Sequence, residues 1–129
     1  MSIHFEAREH GDFLWLECTG TYSIEETFRL YRASFELATR AGRDAVLIDV
    51  RQVTGREPTL TERYDLGVLV ADLQARQTPR IRLAMLGNEP MIHPERFGEI
   101  IATNRGAVAR VFTDEKAALD WLLARPKPL

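Results

Sequence analysis

The fold is decided by Ala109-Arg110-Val111-Phe112-Thr113-Asp114-Glu115-Lys116-Ala117-Ala118-Leu119-Asp120-Trp121-Leu122-Leu123, near the C-terminal end of the chain. Its first residues predict a short strand, which we place at residues 108–112. Thr113-Asp114 offers an N-cap, and the apolar residues that follow have helical spacing, so we predict a helix over residues 114–124. The segment is therefore a strand-helix unit, and similar units occur earlier in the chain.

The N-terminal part predicts a hairpin and a long helix. Residues 3–8 alternate apolar and polar side chains, Gly11-Asp12 forms a tight turn, and residues 13–19 form the returning strand, with Leu14, Leu16 and Cys18 on one face. Ser23 and Glu26 have the spacing of a capping box, in which the two side chains bond to each other's backbone amides. The helix that begins there ends at Ala41-Gly42, since glycine readily adopts the left-handed conformation of a helix end.

The middle of the chain alternates strands and helices. Residues 45–50 and 81–86 are nearly continuous apolar runs, as in strands buried on both faces of a parallel sheet. We predict a helix from Thr59 to about residue 77, and another that begins at Pro90 or Pro94 and ends near residue 104. The order predicts an α/β fold: a mixed, mostly parallel five-stranded sheet with an N-terminal hairpin and four helices.

Composition excludes several classes of protein. The 129 residues suit one domain over 1–129, with 125–129 as a tail, and the net charge of −2 argues against nucleic-acid binding. Cys18 is the only cysteine, so we expect no intramolecular disulfide and no cysteine-based zinc site. With no cofactor motif or metal-ligand spacing in the sequence, we also expect no cofactor and no metal site. The longest apolar run, residues 66–71, is far below the roughly 20 residues of a membrane span. Because residues 1–6 turn polar at once, we expect no signal peptide and a cytoplasmic location.

The sequence also lacks the motifs of common active sites. It has no Gly-x-Gly-x-x-Gly loop, no Gly-Lys-Ser/Thr pair and no Gly-x-Ser-x-Gly elbow. The histidines do not have metal-ligand spacing, and we interpret His93 as a solvated or capping side chain. We therefore predict no catalytic residue, and an enzyme is the hypothesis with least support.

The layout as a whole resembles the SpoIIAA-like (STAS-type) domains. The resemblance is carried by the hairpin, the long first helix, the strand Val46-Leu47-Ile48-Asp49 and the ending quoted above. More narrowly, the chain is similar to stand-alone bacterial members of that superfamily without an assigned function. The resemblance implies helices packed mainly on one side of the sheet. It also implies a binding role, since anti-sigma factor antagonists bind a kinase-like partner and other members bind lipids or small ligands.

In the antagonist branch, a Ser or Thr in an Asp-Ser-Ser-Gly-like motif is phosphorylated at the start of the helix after the Ile-Asp strand. This chain has no such motif there, but Thr59 and Thr61 occupy the approximate helix-start position. Either could accept a phosphate, whose charge a helix N-terminus favours. The alternative is a plain N-cap.

Two further groups of residues are candidates for binding. Asp49 ends a buried strand, where α/β sheets usually bind ligands, so Asp49, Arg51 and Arg56 could hold a polar ligand. The alternative is a carboxylate that takes loop amides or pairs with a nearby arginine.

The second candidate is the apolar run of residues 66–71, which covers the whole circumference of its helix. It predicts either burial within the domain or an interface with another chain. The interface hypothesis names Tyr64, Leu66, Leu69 and Leu73.

These observations lead to three hypotheses of function. The first is a non-enzymatic binding or regulatory domain that acts through protein–protein contacts, with a protein partner or as a homodimer. The second is a small-molecule or lipid carrier, which holds a small apolar ligand in a cavity between the sheet and the two middle helices. The third is a phosphoswitch of the anti-sigma factor antagonist type. None of them involves nucleic acid or a membrane span.

Overall fold

The computed structural model describes residues 3–76 and 80–124. Its elements are β1 (Ile3–His10), β2 (Phe13–Thr21), α1 (Ile24–Ala41), β3 (Ala45–Thr54), α2 (Leu60–Ala75), β4 (Arg82–Leu86), α3 (Phe97–Asn104), β5 (Ala109–Phe112) and α4 (Glu115–Leu123). The predicted α/β class and the order of the elements are confirmed. The predicted tail over 125–129 and the end of the second helix near 77 lie outside the described residues, and the single-domain prediction stays a prediction.

The five strands form one sheet in the order β1-β2-β3-β4-β5. β1 runs antiparallel to β2, and every other neighbouring pair is parallel. The predicted mixed, mostly parallel sheet with an N-terminal hairpin is therefore confirmed.

The sheet has a core on each face. Alternation along β2 directs Leu14, Leu16 and Cys18 to one face, which α1, α2 and α3 cover and which we call the three-helix side. Trp15 points to the opposite face, where it packs in a smaller core with Ala118 and Leu122 of α4; we call this the α4 side. Three helices on one face and one on the other agree with the layout that the resemblance implied.

The predicted helix caps are largely present. Ser23 Oγ accepts from the Glu26 amide at 3.2 Å, but the Glu26 carboxylate lies 3.4 Å from Arg29 and forms no reciprocal cap. Gly42 ends α1 with a left-handed φ of 67°, as predicted. The capping box predicted at Thr59 is complete, and α2 begins at the next residue, Leu60.

The start of α3 differs from the prediction. The helix begins at Phe97, whereas we expected Pro90 or Pro94 in its first turn. Arg96 precedes the helix with φ 55°, and this left-handed residue separates the turns of residues 89–95 from the right-handed helix. His93 Nδ1 accepts from the Glu95 amide at 3.0 Å within those turns. Proline is favourable both in the first turn of a helix and in a tight turn. Pro90 and Pro94 were therefore compatible with either structure.

β3 continues past the predicted residues 45–50 to Thr54, and a bulge interrupts its pairing with β2. Between the pairs Glu17–Asp49 and Thr19–Gln52, β2 advances two residues while β3 advances three. The extra residue reverses the alternation of β3. As a result Val50 and Val53 both belong to the core of the three-helix side, although they are three residues apart.

Candidate interaction site around helix α2

The N-terminus of α2 is closed by its own capping box. Thr59 Oγ1 accepts from the Glu62 amide at 3.1 Å, and the Glu62 carboxylate accepts from the Thr59 amide at 3.0 Å. The Thr59 hydroxyl thus serves as the N-cap, whereas Thr61 in the first turn is exposed. A phosphate on Thr59 would stand beside the Glu62 carboxylate and replace this cap. Phosphorylation of Thr59 or Thr61 stays a prediction.

Arg56 belongs to the same cluster. Its guanidinium donates two hydrogen bonds to Glu62, at 2.8 and 2.7 Å, and lies 5.3 Å from the centre of the Tyr22 ring. The Tyr22 hydroxyl donates to the same carboxylate at 3.1 Å. The bonds from Arg56 above all lower the pKa of Glu62 from 4.5 to about 2, so the carboxylate stays ionised across the ordinary pH range.

Asp49 forms a separate buried pair with Arg51. The Arg51 side chain donates to both carboxylate oxygens, at 3.0 and 2.8 Å, and its backbone amide adds a bond of 3.1 Å. Trp15 Nε1 donates to the same carboxylate at 3.4 Å, and Arg51 also reaches Glu115 at 3.0 Å. Burial alone would raise the pKa of Asp49, but the bonds from Arg51 outweigh it, and the pKa lies below its usual value.

The structure divides the three residues predicted to hold a polar ligand. Asp49 and Arg51 are in contact on the α4 side, beside Trp15. Arg56 lies against Tyr22, which belongs to the core of the three-helix side. The bulge in β3 and the loop after it separate the two groups, so Arg56 does not form one site with Asp49 and Arg51.

A polar recess of about 330 Å³ lies beside the Asp49–Arg51 pair. Its lining includes Glu17 and Gln52, which flank the bulge, and Asn88 from the loop after β4. Cys18 lies at its edge, where burial in the first place and the Asp49 charge in the second raise the pKa of its thiol to about 12. The cysteine is therefore a protonated, unreactive core residue. A polar ligand at Asp49 and Arg51 stays a prediction, and its site would be this recess.

The residues predicted to form an interface occupy different depths of α2. Tyr64 is 40% exposed, and its hydroxyl accepts from Arg105 Nη2 at 2.8 Å. Leu69 and Leu73 are half-buried and pack against the core of the three-helix side, of which Leu66 is a member. Leu66 therefore faces inward. An interface at the other three residues stays a prediction.

Sequence reasoning missed Leu60, the first residue of α2, which is 58% exposed. Its signal was available, because Leu60 precedes Tyr64 by four residues and so shares its side of the helix.

A cavity of about 100 Å³ lies between the sheet and helices α1, α2 and α3, close to where the carrier hypothesis expects one. Its wall is mostly apolar, but it includes Arg63 of α2, a buried arginine that was not identified from the sequence. Within residues 3–76 and 80–124, no group of three or more His, Cys, Asp or Glu side chains is placed to hold a metal ion. The helices described there are also too short or too polar to cross a membrane.

Comparison with known proteins supports the fold. No family model matches the sequence, and no curated protein matches it. An anti-sigma factor antagonist from Mycobacterium paratuberculosis has a similar structure, with a TM-score of 0.60, 13% sequence identity and coverage of 94% of both chains. An uncharacterised protein of the DUF3478 family with a SpoIIAA-like fold, from Shewanella loihica PV-4, is similar at a TM-score of 0.51 and 20% identity. That match covers 94% of this chain and 93% of the other.

These similarities establish the architecture of the chain. The mixed sheet, the N-terminal hairpin and the four helices form a SpoIIAA-like fold, which confirms the fold that the resemblance implied. At 13% and 20% identity the similarity concerns the fold, and function has to be argued from the residues of the site.

Proposed function

We propose that this chain is a non-enzymatic regulatory domain that binds a protein partner through the outer surface of α2. The observation that carries the proposal is the exposure of Leu60 and Tyr64, at 58% and 40%, one turn apart on the same side of that helix. Single exposed apolar residues are common on any protein, but neighbouring ones mark contact surfaces. A protein with this fold is an anti-sigma factor antagonist, which supports a regulatory role.

Two further observations favour this surface. Four large apolar side chains are exposed in the described part of the chain, and three of them, Leu60, Tyr64 and Ile100, belong to α2 and α3, which pack against each other. Tyr64 is also held in place, because Arg105 donates to its hydroxyl and lies 5.3 Å from its ring. A side chain fixed before binding loses less conformational entropy in the complex, as aromatic anchors of interfaces do.

The test compares two leucine-to-aspartate variants. Leu60→Asp places a charge in the proposed surface at the first turn of a helix, where a carboxylate is tolerated well. Leu123→Asp is the matched control, since Leu123 is 44% exposed on α4, at the opposite face of the sheet. Each variant is used as bait in cross-linking capture from cells of the source organism, and circular dichroism checks its fold.

We expect a partner that wild type and Leu123→Asp both capture and that Leu60→Asp loses. Equal capture by all three proteins would contradict the proposal. Sedimentation velocity on the same proteins tests whether the partner is a second copy of this chain, in which case the dimer would be lost only in Leu60→Asp.

A further inference from the structure

The cavity beneath α2 has an unbalanced set of charges. It lies between the sheet and three helices, and apolar side chains such as Leu30, Val70 and Leu83 form much of its wall. Its charged lining residues are Arg63, Arg96, Arg110 and Glu99. The Arg110 guanidinium, however, lies over the Phe112 ring on the α4 side, and Arg96 lies 3.9 Å from Glu99, which leaves Arg63, among the residues that the structure describes, as the cation without a carboxylate inside the cavity. An apolar cavity with one buried guanidinium group in its wall favours a ligand with one anionic end and one apolar end.

Arg63 is the most deeply buried of these cations, with a side chain only 8% exposed. Its guanidinium donates to the carbonyl oxygens of Met91 at 2.9 Å and Pro90 at 2.8 Å. These acceptors are neutral, and the carboxylate nearest to it, Glu57, is 3.6 Å away and 59% exposed. Burial lowers the pKa of Arg63 below its usual value, which reflects the cost of holding this charge away from water. A carboxylate at hydrogen-bond distance would offset that cost.

The N-terminus of α3 lies against the backbone of Arg63, and its first turn contains Glu99, whose carboxylate accepts from the Val111 amide at 2.9 Å. Its N-cap residue, Arg96, makes no side-chain hydrogen bond to the helix and holds a left-handed φ of 55°. Gly98, in the first turn, lines the cavity, and a Cβ added there would lie 3.6 Å from the Arg63 carbonyl oxygen. Helix N-termini attract anions through their free amides and their partial positive charge. Backbone strain of this kind also concentrates at ligand sites.

We propose that this cavity binds a small monocarboxylate, with its carboxylate between Arg63 and the N-terminus of α3 and its short apolar stem among the side chains beneath α2. The size of the stem follows from the volume. The cavity of about 100 Å³ is smaller than the cavity of about 150 Å³ that accepts benzene in another protein. It therefore suits a stem of a few carbons. The site uses the inner side of α2, so it is independent of the protein-binding surface proposed above.

The probes are isobutyrate and its neutral analogue isobutyramide, which have nearly the same shape and differ in charge. Protein-detected NMR titrations measure the affinity of each for wild type. We expect saturable shifts at residues that line the cavity with isobutyrate, and affinity for isobutyramide about tenfold to a hundredfold lower, as the loss of a charge-assisted bond predicts. Equal affinities, or no saturable shift with millimolar isobutyrate, would overturn the proposal.

Three variants locate the site. Arg63→Met removes the charge and keeps an apolar side chain of similar length, so isobutyrate should bind about tenfold or more weakly. Arg40→Met is the matched control at an exposed arginine of α1 and should leave the affinity unchanged. Ala102→Val adds volume at a buried position of the cavity wall without altering a charge. It should also weaken the binding of isobutyrate, and it provides the test if Arg63→Met fails to fold. Wild-type affinity in Ala102→Val would contradict the proposed location.

Discussion

The two sides of the sheet are packed in different ways. The core of the α4 side is small, and eight buried residues make it up: Phe13, Trp15, Ala45, Leu47, Ala84, Leu86, Ala118 and Leu122. Aromatic pairs continue it outward, with the Phe112 and Trp121 rings 5.8 Å apart and the Arg82 guanidinium 4.2 Å from the Trp121 ring. The three-helix side has the larger core, yet this core contains a cavity and the buried Arg63.

This difference separates a side with a compact apolar core from the side on which both proposed binding sites lie. Four of the five β-strands are held from the α4 side by one short helix with apolar contacts. The three-helix side contains features that add little to stability: the empty volume, the charge of Arg63 and the exposed Leu60. Native proteins accept such departures from close packing mainly at functional sites.

The largest expected effect contrasts one leucine from each side. Leu122 is fully buried in the filled core, so Leu122→Ala should lower the free energy of unfolding by about 4 kcal/mol, near the upper end for such truncations. Leu66 lines the existing cavity, so part of its side chain already faces open space, and Leu66→Ala should cost about 2 kcal/mol. Urea unfolding of both variants measures the difference. A larger loss at Leu66 would mean that the three-helix side is as tightly packed as the α4 side.

A smaller effect is expected where α2 crosses α3. A Cβ at Gly67 would lie 2.9 Å from the Gly98 carbonyl oxygen and 2.9 Å from Ile101, so Gly67→Ala should destabilise by about 1 to 3 kcal/mol. The nearest atom to a Cβ at Gly98 is 3.6 Å away, which is ordinary contact. Gly98→Ala should therefore be neutral or stabilising, because alanine favours the helix by about 1 kcal/mol. Thermal unfolding measures the stability of both variants. Equal losses of stability in Gly67→Ala and Gly98→Ala would show that α2 and α3 do not cross as described.

The smallest expected effect depends on pH and concerns the cluster at the start of α2. The pKa of Glu62 is lowered to about 2 in the folded chain, from a usual value of 4.5. Its ionised form therefore contributes stability that is complete above pH 4.5 and is lost as the pH falls towards 2. Glu62→Gln should lower the free energy of unfolding at pH 7, and its difference from wild type should shrink between pH 5 and 2.

The control for this prediction is Arg56→Met, which removes the main cause of the lowered pKa. In the Arg56→Met background, Glu62→Gln should change the free energy of unfolding less at pH 7, and this change should depend more weakly on pH. An unchanged dependence would mean that Arg56 does not set the pKa of Glu62.

Local sequence signals were sufficient for most of the fold. The continuous apolar run of β3, the cap at Thr59 and the left-handed Gly42 each reflect interactions within a few residues, and each is present in the structure. The start of α3 was wrong because the decisive residue, Arg96, adopts a backbone conformation that its side chain does not predict.

The candidate sites depended on contacts that the sequence does not display. The pairing of Asp49 with Arg51 was among the alternatives, since the two are close in the chain. The separation of Arg56 from both follows from a bulge that only the register with β2 reveals. Arg63 was missed because its acceptors, Met91 and Pro90, come from a distant loop. An arginine one turn before an apolar run was the only available signal.

The order of the strands in the sheet has a consequence for how the chain folds during synthesis. Each strand pairs with the strand that precedes it in the sequence, so its partner has already left the ribosome when it emerges. The N-terminal hairpin can form first, and each later strand extends an existing edge after one crossover. Assembly then ends with β5 and α4, and the apolar residues of the α4 side are the last to be covered. In a nascent chain stalled before residue 115, α4 is absent, and Phe13 and Trp15 would be exposed to chaperones.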